Sequence, residues 1–203
     1  MLVSAEMRWF WKGDYPQSVS RWFEELSFPL PASAEEQRTD RYLDLQGNTE
    51  IGVKLRGKKP ELEVKGLVAT LPSRPSIDVP PQLWCKWDAI LPATKLIETT
   101  KKRRLRKFAF ARGQVSQLEL PSGKSWADIR PLPETGCNLE MTVVQTAGRE
   151  IWHSLCFEAF GDLQSAPAAL EATLDHLQPL PDFDGVPASY PYWLAKLADQ
   201  PAS

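Results

Sequence analysis

The chain has 203 residues, a length that fits one large domain or one domain with a short extension. With 42% apolar residues, 25% charged residues and a formal net charge of −2, it has an ordinary globular composition and no general attraction for nucleic acid. Three cysteines without CxxC spacing favour free thiols in a reducing compartment over a disulfide framework or a zinc site. The charged N-terminal segment does not resemble a signal peptide, and no run of about 18 apolar residues occurs, so we expect a cytoplasmic protein without a membrane span.

Apolar periodicity predicts many strands and few helices along the chain. Residues 2–11 form the first predicted strand, and residues 17–27 form a helix with apolar positions three and four residues apart. Further strands are predicted over residues 38–45, 50–56, 61–69, 99–110, 115–120, 137–145 and 150–160. Residues 82–98 fit either a helix or a strand, and helices are predicted over residues 165–177 and 188–198. About eight antiparallel strands without βαβ alternation favour an α+β or barrel-like architecture.

Several predicted strands carry charges on one face and apolar residues on the other. Lys54 and Arg56 alternate with Val53 and Leu55, and successive side chains of a strand point to opposite faces. Placed side by side in one sheet, such rows would concentrate positive charge where a phosphate chain can lie. A solvated sheet face gives the same pattern, so periodicity alone leaves both interpretations open.

The strand over residues 99–110 is the most basic segment of the chain. Its two faces carry Lys102, Arg104 and Arg106 on one side and Lys101, Arg103 and Lys107 on the other. Besides an anion site, this run fits an exposed strand that lysine protects against edge pairing, or a nucleic-acid patch.

The order of several segments resembles the CYTH, or triphosphate tunnel metalloenzyme, superfamily. These segments are SAEMRWF, DRYLDL, GVKLRGKKPELEVKG, KKRRLRKF, NLEMT and CFEAFG, spread over residues 3–161. Proteins of that superfamily fold as an eight-stranded antiparallel barrel with a tunnel. Basic side chains in the tunnel hold a triphosphate, and acidic side chains hold a divalent metal. The resemblance implies an α+β fold with a tunnel-like barrel and flanking helices over residues 1–162, and a C-terminal helical extension over residues 163–203 packed on the barrel.

The resemblance also implies roles for individual residues. The phosphate-binding candidates are Arg8, Lys54, Arg56, Lys65, Lys102, Arg104 and Arg106. The metal-binding candidates are Glu6, Glu140 and Glu158, of which Glu6 and Glu158 would be the catalytic pair that holds Mg²⁺ or Mn²⁺. A carboxylate among basic residues also has the simpler role of neutralising them, which leaves two interpretations of Glu140 and Glu158.

The chain departs from the E-x-E-x-K signature of that superfamily. The matching positions are Ser4, Glu6 and Arg8, while a literal E-x-E-x-K begins at Glu61, in a different strand. Because the chain lacks more of the superfamily's acidic residues than of its basic residues, the sequence supports polyphosphate binding better than hydrolysis.

We therefore expect a protein that binds a triphosphate or other polyphosphate compound, including nucleotides, in a basic tunnel. Metal-dependent triphosphatase activity is left open. The alternative is a non-catalytic polyanion-binding or protein-interaction module on a degenerate fold of the same kind. Neither a membrane nor a nucleic acid is an expected partner.

Overall fold

The computed structural model describes residues 2–45, 47–56, 62–74, 77, 79–89, 96–146 and 150–198. The strands within these ranges are β1 (Leu2–Lys12), β2 (Glu35–Leu43), β3 (Ile51–Arg56), β4 (Leu62–Thr70), β5 (Gln82–Ala89), β6 (Leu96–Ala111), β7 (Gln114–Gln117), β8 (Gly136–Thr146), β9 (Ile151–Gly161) and β10 (Val186–Pro187). The α-helices are α1 (Gln17–Glu24), α2 (Ser165–His176) and α3 (Tyr190–Ala198), and short 3-10 helices cover Ala32–Ala34 and Trp126–Asp128.

Eight antiparallel strands close into a barrel. Their order is β1-β5-β4-β3-β2-β6-β8-β9, and β9 pairs back along the length of β1. The two remaining strands add to this wall, since β7 pairs with the end of β6 and β10 pairs with the second half of β1. The predicted α+β class and eight-stranded antiparallel barrel are thereby confirmed.

Most predicted elements match their observed positions, with shifts at their ends. The ambiguous segment 82–98 contributes β5 and the start of β6, so it contains strand and no described helix. The long strand β6 pairs with β2 over its first half and with β8 over most of its length. Glu61 lies outside the described residues, and the division of the chain at residue 162 stays a prediction.

The apolar core lies on the outer face of the barrel wall. Trp9, Leu139 and Phe157 are fully buried there and pack in one cluster with Leu170 and Leu174 of α2. Because alternate residues of a strand point to opposite faces, the inner face of the same strands is left to polar and charged side chains. The barrel therefore has an apolar exterior under its helices and a polar lumen.

The helix α3 lies across one end of the barrel. Trp193 stacks on Phe10 of β1 with a ring separation of 4.7 Å, and Leu194 and Leu197 complete the cluster. Tyr42 and Val144 join it from the inner face of β2 and β8. The C-terminal helix, expected to pack on the barrel, thus fills one mouth of the lumen. Within the described ranges, no helix combines the length and apolar character that a membrane crossing requires.

The burial of Phe108 on the outer face of β6 is open to a direct stability test. Phe108 is fully buried in the outer core, whereas Lys102 on the same face is half exposed. Phe108→Ala should lower the free energy of unfolding by about 3–5 kcal/mol because it leaves a cavity against the helices. Lys102→Ala should cost less than about 1 kcal/mol, since its ion pair is exposed. Urea unfolding measures both, and equal losses would contradict the burial of Phe108 in the outer core.

Candidate functional site

A cavity of about 540 Å³ occupies the barrel lumen, within the range of about 300–1,000 Å³ typical of small-molecule sites. Among the residues that the structure describes, nine basic and five acidic side chains line it. The basic residues are Arg8, Arg38, Lys54, Arg56, Lys65, Lys86, Lys101, Arg103 and Lys107. The acidic residues are Glu6, Glu63, Glu134, Glu140 and Glu158. The lining therefore has an excess of positive charge.

Strand register brings these charges together. Directly paired residues of neighbouring strands point to the same face. Glu6 of β1 pairs with Glu158 of β9, and Lys65 of β4 pairs with Lys86 of β5. The same rule repeats around the barrel, so alternating polar residues of each strand converge in the lumen.

Seven of the candidate residues from the sequence line this cavity. They are Arg8, Lys54, Arg56, Lys65, Glu6, Glu140 and Glu158. Among them, the Arg56 side chain is about half exposed, whereas those of Glu6 and Glu140 are almost fully buried.

The three candidates from β6 lie on the outside of the barrel, which corrects the prediction. Lys102 is half exposed and pairs with Glu35, with a separation of 3.0 Å, and Arg104 pairs with Glu24 of α1. Arg106 is buried on the outer face, where it donates to the backbone carbonyl of Phe28 and where burial lowers its pKa to about 10.

The alternate face of β6 supplies the lumen instead, through Lys101, Arg103 and Lys107. Phe108 fixes this phase. It shares the outer face with Lys102, Arg104 and Arg106 and is buried against the helices. An apolar residue near the end of the strand was therefore the signal that its even-numbered face points outward.

Three other lumen residues were not among the candidates from the sequence, for different reasons. Lys86 lies in the segment left ambiguous between helix and strand, although it alternates with Cys85 and Leu83. Arg38 lies in a predicted strand that carries charges on both faces, Arg38 and Asp40 on one and Arg41 on the other. Tyr190 lines the cavity from α3. Local sequence periodicity does not predict that a C-terminal helix packs into the end of a barrel.

A first cluster of charges joins β1, β4, β5 and β9. The Lys86 Nζ lies 3.2 Å from Oε1 of Glu6 and also pairs with Glu158, while Lys65 donates to Glu6. Burial opposes ionisation of Glu6, but the charges of Lys65 and Lys86 hold its pKa well below the usual value. Burial also disfavours the charged form of Lys86, yet Glu158 and Glu6 raise its pKa. These ion pairs favour the charged forms of Glu6, Glu158 and Lys86, whereas burial lowers the pKa of Lys65.

A second cluster surrounds Glu140 of β8. Its two oxygens accept hydrogen bonds from Arg8 at 3.2 Å and from Arg103 at 2.9 Å, and the Thr142 hydroxyl donates at 2.7 Å. Burial opposes ionisation of Glu140, but the two guanidinium groups hold its pKa far below the usual range. Arg103 also reaches Glu36. Arginine side chains therefore pair with both carboxylates of this cluster, Glu140 and Glu36.

A third cluster gathers three cations on one carboxylate. The Oδ2 of Asp40 lies 3.0 Å from Arg38 Nη2, 3.3 Å from Lys101 Nζ and 3.6 Å from Lys54 Nζ. The Asp40 side chain is completely buried, and its three partners face the cavity. Burial and repulsion from Lys54 hold the pKa of Lys101 well below its usual value, although Asp40 opposes this. Lys54 also pairs with Glu63 at 2.9 Å, and Arg38 lies 4.0 Å from Glu36, so these three cations are shared among three carboxylates.

Lys101 also connects this cluster to α3. Its Nζ lies 3.5 Å from the ring centroid of Tyr190 and donates a hydrogen bond to the Tyr42 hydroxyl at 2.6 Å. The Arg8 guanidinium lies 4.5 Å from the same Tyr190 ring. Cation–π contact with a desolvated cation contributes up to about 2 kcal/mol. The aromatic face of Tyr190 thus forms the floor of the charged cavity.

Lys107 differs from the other buried cations of the lumen. Its Nζ donates to the Asn138 side chain at 2.9 Å, and within the described part of the chain it makes no ion pair with a carboxylate. Burial lowers the pKa of Lys107. It is therefore a cation held in place by a neutral acceptor.

The expected metal ligands are occupied by lysine and arginine. Across the described ranges, no group of three or more His, Cys, Asp or Glu side chains is arranged to hold a metal ion. Glu6 and Glu158 are adjacent in register, but Lys86 pairs with both, and Glu140 is bound by two arginines.

No protein-family model matches the chain, and comparison with curated proteins gives no match. The link to the CYTH superfamily therefore stays a hypothesis based on the ordered segments of the sequence.

The lumen carboxylates predict a specific loss of stability in acid. Burial opposes ionisation of Glu63, but Lys54 lowers its pKa to about 2. A carboxylate with a depressed pKa stabilises the fold above its unfolded-state pKa and loses this contribution as the pH falls through the folded-state pKa. Glu63→Gln should therefore lower the free energy of unfolding at pH 7 by about 2–3 kcal/mol. The variant should also show a shallower decline between pH 4.5 and pH 2.

Urea unfolding across this pH range measures the effect. Glu150→Gln serves as the matched control, because Glu150 pairs with Lys12 at 2.7 Å on the exposed surface. An exposed pair contributes less than about 1 kcal/mol. Identical pH profiles for the two variants would contradict the account of Glu63.

Proposed function

We propose that the barrel lumen binds a small molecule that carries a chain of phosphates, such as triphosphate or an organic polyphosphate. The observation that carries this proposal is the convergence of nine basic and five acidic described side chains on one cavity. Binding a polyanion compensates this excess of positive charge, which the barrel shields from bulk water.

The cluster around Asp40 supports the proposal most strongly. Arg38, Lys54 and Lys101 face the cavity, while Asp40 lies behind them and fixes their positions. Preorganised ammonium and guanidinium groups bind phosphate oxygens through charge-assisted hydrogen bonds. Because these side chains are already ordered by Asp40, little conformational entropy is lost when a phosphate binds.

Hydrolysis of the bound compound is a second candidate function. Glu6 and Glu158 are adjacent on β1 and β9, and two carboxylates with phosphate oxygens and waters commonly hold Mg²⁺. Such an ion would neutralise charge that develops on the phosphate during transfer. Because Lys86 pairs with both carboxylates, binding is better supported than turnover. A cytoplasmic location stays a prediction from the sequence.

Calorimetric titration with tripolyphosphate tests the binding proposal. Lys107→Gln should weaken binding about tenfold, because it removes one charge-assisted contact without removing a carboxylate's partner. Lys102→Gln is the matched control on the outer face of the same strand and should leave the affinity unchanged. Equal affinities for both variants, or no heat with the wild-type protein, would contradict the proposal.

A phosphate-release assay separates binding from catalysis. The proposal predicts binding of tripolyphosphate without release of phosphate, with or without Mn²⁺. Release that Glu158→Gln abolishes would instead establish the hydrolytic function.

A further inference from the structure

Lys86 has an unusual position in the lumen. It extends from β5 to the adjacent carboxylates of β1 and β9, where its Nζ pairs with Glu6 and Glu158. The Lys86 side chain is only 17% exposed, and the Glu6 side chain only 6%. One ammonium group thus bridges the two carboxylates that register places side by side.

The two carboxylate oxygens of Glu6 also accept hydrogen bonds from other side chains. Its Oε1 accepts a hydrogen bond from the Ser4 hydroxyl at 2.6 Å, and its Oε2 accepts one from Lys65. Both oxygens of this carboxylate therefore have protein donors. Ser4 and Lys86 together fill Oε1 of Glu6. A magnesium ion needs oxygen ligands at about 2.0–2.1 Å in near-octahedral geometry, so it would have to displace one of these donors to use that oxygen.

We infer that the Lys86 ammonium takes the place of a divalent cation between Glu6 and Glu158, so that the lumen binds polyphosphate without metal. The inference rests on the proposed function for its ligand, but the role of Lys86 is testable by itself. The cluster holds two carboxylates and two ammonium groups, and its charges balance. An entering metal ion would have to displace Lys86 and leave a buried ammonium group without its partners, which is costly.

The fixed ammonium also changes what the ligand meets. A polyphosphate that binds at this cluster contacts the ammonium group of Lys86, and no metal ion has to bind together with it. An ammonium group has three donors and no vacant coordination position, so it binds a phosphate oxygen but does not bind and activate a water as a metal does. Metal-free binding and weak or absent turnover then have the same cause.

Titration with Mn²⁺ in the absence of phosphate tests the role of Lys86, with free Mn²⁺ followed by its paramagnetic resonance signal. Lys86→Met frees Glu6 and Glu158 together and should create a site that binds Mn²⁺ at least about tenfold more tightly than the wild-type protein does. Lys65→Met is the matched control. It removes a lysine from Glu6 but leaves Lys86 across both carboxylates, so its Mn²⁺ binding should equal that of the wild-type protein.

A second measurement needs no variant and stands even when Lys86→Met does not fold. Tripolyphosphate is titrated into the wild-type protein in buffer freed of metal by a chelating resin, and again with about 1 mM Mg²⁺. We expect binding of at least equal strength in the metal-free buffer. Binding seen only with Mg²⁺, or Mn²⁺ binding by the wild-type protein as tight as that of Lys86→Met, would overturn the inference. Absence of tripolyphosphate binding in both buffers would refute the proposed function, while the Mn²⁺ titration still decides the role of Lys86.

Discussion

A charge inside a closed barrel is largely cut off from water, and this constraint organises the whole lumen. An unpaired buried carboxylate costs several kcal/mol, so each one must be surrounded by cations. Asp40 collects Arg38, Lys54 and Lys101, and Glu140 is held by two arginines. The register of the strands makes these contacts, since paired residues share a face. The strand register of the barrel therefore places the charged side chains in contact, and their pairing in turn stabilises the buried carboxylates.

The same network explains why the lumen is suited to anions. Basic side chains outnumber acidic ones nine to five among the described lining residues, so the lining carries a net positive charge. Lys107 has only the Asn138 side chain as an acceptor among the described residues. The helix α3 closes one end through Tyr190 and Trp193, while Arg56 lines the cavity from the end of β3 with its side chain about half exposed. Ligand charge then compensates the cations that the protein itself does not neutralise.

The positions of most strands along the chain and the alternation of polar and apolar residues were accessible from sequence, because a strand has a fixed period of two residues. Which face of β6 points into the lumen was not, since both faces are basic around residue 102, and the residues that distinguish them, Phe108 and Phe110, lie near the end of the strand. Lys86 was missed because its segment carries apolar residues on both faces, Trp84 on one and Leu83 and Cys85 on the other. Tyr190 depends on how a C-terminal helix meets the barrel end, a long-range contact on which local periodicity carries no information.

The central claim is that the cations of separate strands converge to hold a phosphate chain inside the barrel. A crystal structure of the protein with tripolyphosphate tests it most directly. The account predicts phosphate density in the lumen, with oxygens within hydrogen-bonding distance of Arg38, Lys54 and Lys101. Density confined to the outer face, beside Lys102 and Arg104, or an empty lumen at saturating ligand, would contradict it.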